Sequence, residues 1–144
     1  MENKVILLVE DNPDDVKLTQ RSFRENCISN ELVVVTDGAA ALDYLVRTSS
    51  QSGGVLPAVT LLDLNLPKLD GLELLQRIRA HPQLRRLPVV ILTSSKEEID
   101  LVRSYDLGAN SYIQKPVEFD DFNKAVRQLG LYWLLLNEPP PQPS

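Results

Sequence analysis

Four runs in this chain are almost continuously aliphatic: VILLV at 5–9, LVVV at 32–35, VTLL at 59–62 and VVIL at 89–92. A weaker fifth, SYIQ, begins at Ser111. Strands that are apolar on both faces need cover on both faces, which is the pattern of a parallel sheet lying between two layers of helix. The runs start at Val5, Leu32, Val59, Val89 and Ser111, separated by 27, 27, 30 and 22 residues. Each interval has room for the crossover of about a dozen residues or more that parallel strands require. The chain reads as a βα repeat.

Helix signals fill the intervals. Asn12 followed by Pro13 is an N-cap with proline at the first helical position, and Asp14 and Asp15 suit the positive end of the helix dipole. A first helix is expected over about 13–26. Gly38 opens AAALDYLV, where Leu42, Leu45 and Val46 share a face, and Gly71 precedes LELLQRIRA, with Leu74, Leu75 and Ile78 together and His81 and Pro82 at its end. Ser94 and Ser95 before KEEIDLV mark a fourth start, with only a thin apolar stripe at Ile99 and Val102. Phe119, Phe122, Val126 and Leu129 mark a fifth helix. SSQSGGVLP (49–57) reads as a flexible loop and PPPQPS as a disordered or extended tail.

Five parallel strands alternating with five helices through right-handed crossovers make a doubly wound α/β sandwich. Strand order 2-1-3-4-5 is the expected small version, and it puts a ligand site beyond the carboxyl ends of strands 1 and 3, where the order reverses. With 144 residues, 43% of them hydrophobic, there is material for one core rather than two. A single cysteine, Cys27, makes no internal disulfide and reads as a small core residue. Fifteen basic against twenty acidic residues give a net charge of −5, the wrong sign for a general nucleic-acid binder. No signal peptide or membrane span is read, so a soluble, cytoplasmic protein is expected.

Strand 1 ends in Glu10 and Asp11, and strand 3 ends in Asp63. If the two strands are neighbours, three carboxylates converge at the mouth of the sheet, and charges of one sign that close repel unless a cation lies among them. An all-oxygen donor set suits Mg²⁺, with Mn²⁺ able to substitute. Thr93 follows strand 4 directly, and Lys115 and Pro116 follow strand 5. A hydroxyl and an ammonium beside a metal-bound carboxylate make a phosphoryl site, and an aspartate can attack phosphorus to form an acyl phosphate. Asp63 is the proposed nucleophile. Other polar residues read blandly: Asp14 and Asp15 as helix caps, His81 as a helix end, Lys68 and Asp70 as loop charges, Arg85 and Arg86 as a solvated basic spot.

Together these residues resemble the receiver domain of two-component response regulators, over roughly residues 4–130. The resemblance implies a flavodoxin-like receiver fold in which Asp63 takes a phosphoryl group from a histidine kinase. It implies a Mg²⁺ site of Asp11 and Asp63, with Glu10 acting through water and the backbone carbonyl of Asn65 as a further ligand. Thr93 and Lys115 would contact the phosphoryl oxygens, the Lys115–Pro116 bond would be cis, and Tyr112 would be the aromatic switch residue. Phosphorylation would draw Thr93 inward, turn Tyr112 into the space it leaves and remodel the surface of helix 4, strand 5 and helix 5. Glu10 stands where an aspartate is common, and Asn65 and Ser95 occupy positions that tune acyl phosphate hydrolysis in the family. Such a protein is a phosphoacceptor switch, not a turnover enzyme.

The expected organisation is a receiver domain over 1–130 and a helical extension with a Pro-rich tail over 131–144. No DNA-binding domain is expected after the receiver, so output is expected through another protein or through self-association. LYWLLL after Gly130 is apolar all round. Leu131, Tyr132, Leu134 and Leu135 are expected to contact a second copy, making a homodimer, while Trp133 continues the core stripe; the competing fate is folding back on the domain. LDLNLPK and the Tyr-Trp-Leu extension resemble stand-alone regulators that partner phytochrome histidine kinases, especially cyanobacterial ones. The alternative is a receiver-like binding module that is never phosphorylated. An FMN carrier of the same architecture would be repelled by EDNPDD after strand 1. A haloacid-dehalogenase-type phosphatase needs a second acid where Asn65 stands.

Overall fold

The computed structural model describes residues 5–25, 31–93, 96–109, 111–114, 120 and 124. Its elements alternate along the chain: β1 (Val5–Val9), α1 (Pro13–Glu25), β2 (Glu31–Val35), α2 (Gly38–Ser50), β3 (Val59–Asp63), α3 (Gly71–Ala80), β4 (Val89–Thr93), α4 (Lys96–Ser104) and β5 (Ser111–Gln114). The strands form one parallel sheet in the order β2-β1-β3-β4-β5. β1 is central enough to pair on both edges, with Leu8 opposite Val34 on one side and Leu61 on the other.

Side chains alternate across the sheet and build two cores. Leu7, Val9, Leu62 and Ile91 pack with Leu45 of α2, Leu74, Leu75 and Ile78 of α3, and Val102 of α4. Ile6, Leu8, Leu61, Val90 and Leu92 pack on the opposite face with Phe23 of α1. Complete burial of such a side chain is worth roughly 1.5–3 kcal/mol, so the two faces together make the sheet the rigid part of the molecule. β3 and β4 are buried at all their positions.

Three details depart from the sequence reading. β2 is only half-buried, because as an edge strand it has a neighbour on one side alone. α2 continues through Ser49 and Ser50, which the sequence assigned to the loop; their hydroxyls donate to the carbonyls of Val46 and Arg47, capping the last turn from within. Asp70 is not a mere loop charge but the N-cap of α3, accepting from the Glu73 amide at 2.9 Å. The α1 start is as read, with Asn12 Oδ1 accepting from the Asp14 amide at 2.9 Å. His81 is the C-cap of α3, and Arg85 and Arg86 are exposed.

Cys27, Ser94 and Ser95, Lys115, Pro116 and the expected fifth helix with its apolar extension lie outside the described residues. Asp120 and Lys124, from that stretch, are helical and exposed.

Candidate functional site

The carboxyl ends of β1, β3 and β4 deliver the polar residues of the site. Glu10 follows β1, where its amide donates to Val35 O at 3.0 Å and continues the sheet ladder. Asp63 closes β3 opposite Leu92, and Thr93 closes β4. Glu10, Asp63 and Thr93 are all buried, at 0%, 3% and 0% exposure, while Asp11 is open to solvent. A strand buried on both faces therefore ends in a fixed carboxylate.

Glu10, Asp11 and Asp63 each place a carboxylate oxygen within 4.8 Å of the others. Backbone amides orient the two buried acids in the same way: Asn12 N donates to Glu10 Oε2 at 3.2 Å, and Asn65 N donates to Asp63 Oδ1 at 3.0 Å. In each case the chain turns back on the acid two residues later. Three negative groups so close repel, and two of them lack the water that would screen them. The donor set is all oxygen, two-thirds buried and open on the Asp11 side, which fits a hard cation such as Mg²⁺ or Mn²⁺.

The loop from β3 to α3 is pinned against this cluster. Gly71 donates its amide to Leu64 O at 2.9 Å, and a Cβ on Gly71 would lie 2.5 Å from both Asp63 O and Leu64 Cα. Only glycine allows α3 to start so close to the end of β3. Gly38, at the start of α2, is packed as tightly against the backbone of Leu69. Lys68, between them, adopts a left-handed φ of 69° and places its ammonium 3.8 Å from Asp37, the N-cap of α2.

Three contacts beyond the sequence reading involve α4. Thr93 Oγ1 donates to Glu98 Oε1 at 2.8 Å, and Asn65 Nδ2 lies 3.4 Å from the same oxygen. Arg103, in the last turn of α4, stands over the ring of Tyr112, which is half-buried on β5 and packed against the α2–α3 core. The only sequence signal for Glu98 was its place in an acidic first turn. Of the predicted site residues, Glu10, Asp11, Asp63, Asn65 and Thr93 gather at one end of the sheet. Tyr112 lies on β5 beneath α4, and Lys115 lies outside the described residues.

A family profile for the response regulator receiver domain matches residues 6–127. The chain belongs to that family. Its relatives include response regulator Rcp1 of Synechocystis sp. (strain ATCC 27184 / PCC 6803 / Kazusa), 42% identical over 131 residues, covering 91% of this chain and 89% of Rcp1. The solved bacteriophytochrome response regulator RtBRR is 53% identical, with a TM-score of 0.80 over 97% of this chain and 86% of its own. The phosphorylated cyanobacterial phytochrome response regulator RcpA is 38% identical, with a TM-score of 0.79 over 97% of this chain and all of its own, 100%. Rcp1 has also been solved in an Mn²⁺-bound form, with a TM-score of 0.76, 40% identity, and coverage of 98% of this chain and 99% of its own. Receiver domains of this family act as signalling switches.

Proposed function

We propose that this chain is a single-domain response regulator whose Asp63 accepts a phosphoryl group from a histidine kinase. The observation that carries the reading is the convergence of Glu10, Asp11 and Asp63 within 4.8 Å at the ends of adjacent strands, with Thr93 at the end of the next. An Asp63 carboxylate oxygen forms a bond to phosphorus as the phosphorus–nitrogen bond of the kinase phosphohistidine breaks, leaving an acyl phosphate here and a free histidine there. Glu10, Asp11, Asp63 and the backbone carbonyl of Asn65 are the proposed holders of Mg²⁺, which when bound neutralises charge on the phosphoryl oxygens. Thr93 and Lys115 are the proposed protein contacts to those oxygens. Tyr112 is the proposed aromatic switch that carries the change to the surface of α4 and β5.

The names of the solved relatives support a phytochrome kinase as the upstream partner, in which case light is sensed by the kinase and not by this chain. Leu131, Tyr132, Leu134 and Leu135 are the proposed homodimer contact; sedimentation as a monomer at micromolar concentration removes that part of the reading. Among the described residues no helix is long and apolar enough to cross a membrane, and a cytoplasmic location is part of the proposal.

The test is intact mass after incubation with acetyl phosphate and Mg²⁺. A single adduct in the wild type, absent in Asp63→Asn and absent without Mg²⁺, is the expected result. No adduct, with acetyl phosphate or with a cognate kinase, makes the chain a receiver-like binding module instead.

A further inference from the structure

The bond from Thr93 Oγ1 to Glu98 Oε1 leaves the end of β4 and crosses to the first turn of α4. With Asn65 Nδ2 at 3.4 Å from the same oxygen, one carboxylate of α4 joins the loop after Asp63 to the end of β4. Five residues further along the same helix, Arg103 covers Tyr112. α4 thus touches both residues that the switch requires to move.

A threonine hydroxyl has one proton to donate. While that proton serves Glu98 it does not serve a phosphoryl oxygen on Asp63. An incoming phosphoryl group also brings negative charge close to Thr93 and so toward the half-buried Glu98 carboxylate, and repulsion in that setting is stronger than in bulk water. Competition for the proton and repulsion of the charge break the same bond.

We infer that Glu98 is a positioning residue: it latches Thr93 and the start of α4 in the resting arrangement, and phosphoryl transfer to Asp63 releases it. The inference rests on the phosphoacceptor reading of Asp63. A contact made only in the resting state opposes activation by its own free energy, so the latch sets how readily the switch turns on. It also sets where the surface first changes. Glu98 and Asn65 form part of the wall of a cleft of about 440 Å³ between α4 and the β3–α3 loop, whose lining also includes Leu66, Asp70 and the exposed Leu101.

The test titrates the full chain with beryllofluoride in Mg²⁺, a stable stand-in for the phosphoryl group, and follows amide hydrogen exchange in α4 without ligand. Glu98→Ala should bind beryllofluoride roughly tenfold more tightly than the wild type, ~1.4 kcal/mol. Removing a negative charge near an anion would also tighten binding. The comparison is therefore repeated in a Thr93→Val background, where a latch acting through the hydroxyl has nothing to hold and the gain should fall to the part that the charge alone supplies. A gain as large there as in the wild-type background, or no gain in either background, overturns the latch. In ligand-free protein, Glu98→Ala and Thr93→Val should each speed exchange in the first turn of α4 roughly tenfold. Loss of a favourable helix-dipole charge would affect the first variant alone, so unchanged exchange in Thr93→Val overturns the inference. If the wild type binds no beryllofluoride and gains no mass from acetyl phosphate, the reading of Asp63 has failed, and the exchange data alone decide whether Glu98 holds α4.

Discussion

The guanidinium carbon of Arg103 lies 4.8 Å from the centroid of the Tyr112 ring, a cation seated over the electron-rich face of the proposed switch residue. Arg103 is exposed, so the contact is worth roughly 0.5–1 kcal/mol. Arg103→Ala should therefore cost under about 1 kcal/mol in urea unfolding, yet move the ring proton resonances of Tyr112. Ring resonances that stay put in the variant would remove Arg103 as a support for Tyr112.

Magnesium should stabilise the fold through Glu10, Asp11 and Asp63, by ~2.7 kcal/mol at a free concentration about 100 times Kd. Scanning calorimetry in Mg²⁺ and in chelator reads the difference directly. Asp11→Asn should lose that increment and, in chelator, melt above the wild type, because one of three mutually repelling charges is gone. A wild-type melting temperature indifferent to millimolar Mg²⁺ counts against the metal site.

Gly71→Ala forces a methyl group onto Asp63 O and Leu64 Cα, both at 2.5 Å, and the obstruction is backbone that cannot rotate away. A cost of roughly 1–3 kcal/mol is expected, as for other overpacked sites. Because the obstruction includes Asp63 itself, the stabilisation by Mg²⁺ should shrink in the same variant. Unfolding curves with and without Mg²⁺ check both, and a fully retained Mg²⁺ increment would mean that α3 yields rather than the end of β3.

Arg79 belongs to no functional cluster, yet its guanidinium donates to the carbonyls of Leu107, Arg85, Leu87 and Gly108 at 2.6 to 3.1 Å. Burial pushes its pKa below the ordinary arginine value. One side chain ties the end of α3 to the entry of β4 and to the turn after α4. Arg79→Ala should destabilise by about 2 kcal/mol, since charged donors leave several acceptors behind. Arg79→Lys should recover little of it, because an ammonium on a flexible stem has three donors and no planar fork with which to reach four carbonyls. Equal stability of the lysine variant and the wild type would show that charge alone, not the fork, is what matters there.

What the sequence revealed and what it hid follow from how local each contact is. The aliphatic runs, and the acids and hydroxyl that stop them, were legible because strand burial and strand ends are written residue by residue; VTLLD needed no partner to be read. Asp70 was misread although its signal was local: Glu73 three residues on is the spacing of a capped helix start. Ser49 and Ser50 misled because serine favours loops and helix ends alike, and here it serves the helix. Glu98 and Arg79 were not legible. Their partners come from other strands and loops, so only the folded sheet brings them within reach.

Glu10 and Asp63 meet because β1 pairs with β3, while β2, which lies between them in the chain, pairs at one edge of the sheet and its flanking helices cover opposite faces. No fragment that stops before β3 contains the cluster, so on the ribosome a growing chain has no complete cradle for a cation until its third strand has emerged. The long loop that must close to bring these acids together is costly in chain entropy and is closed by the aliphatic pairing, not by the acids, which repel. An ion that needs all three carboxylates arrives after that work is done: it slows departure from the native state without hastening arrival, and stopped-flow unfolding with and without Mg²⁺ would read it as a clasp rather than a template.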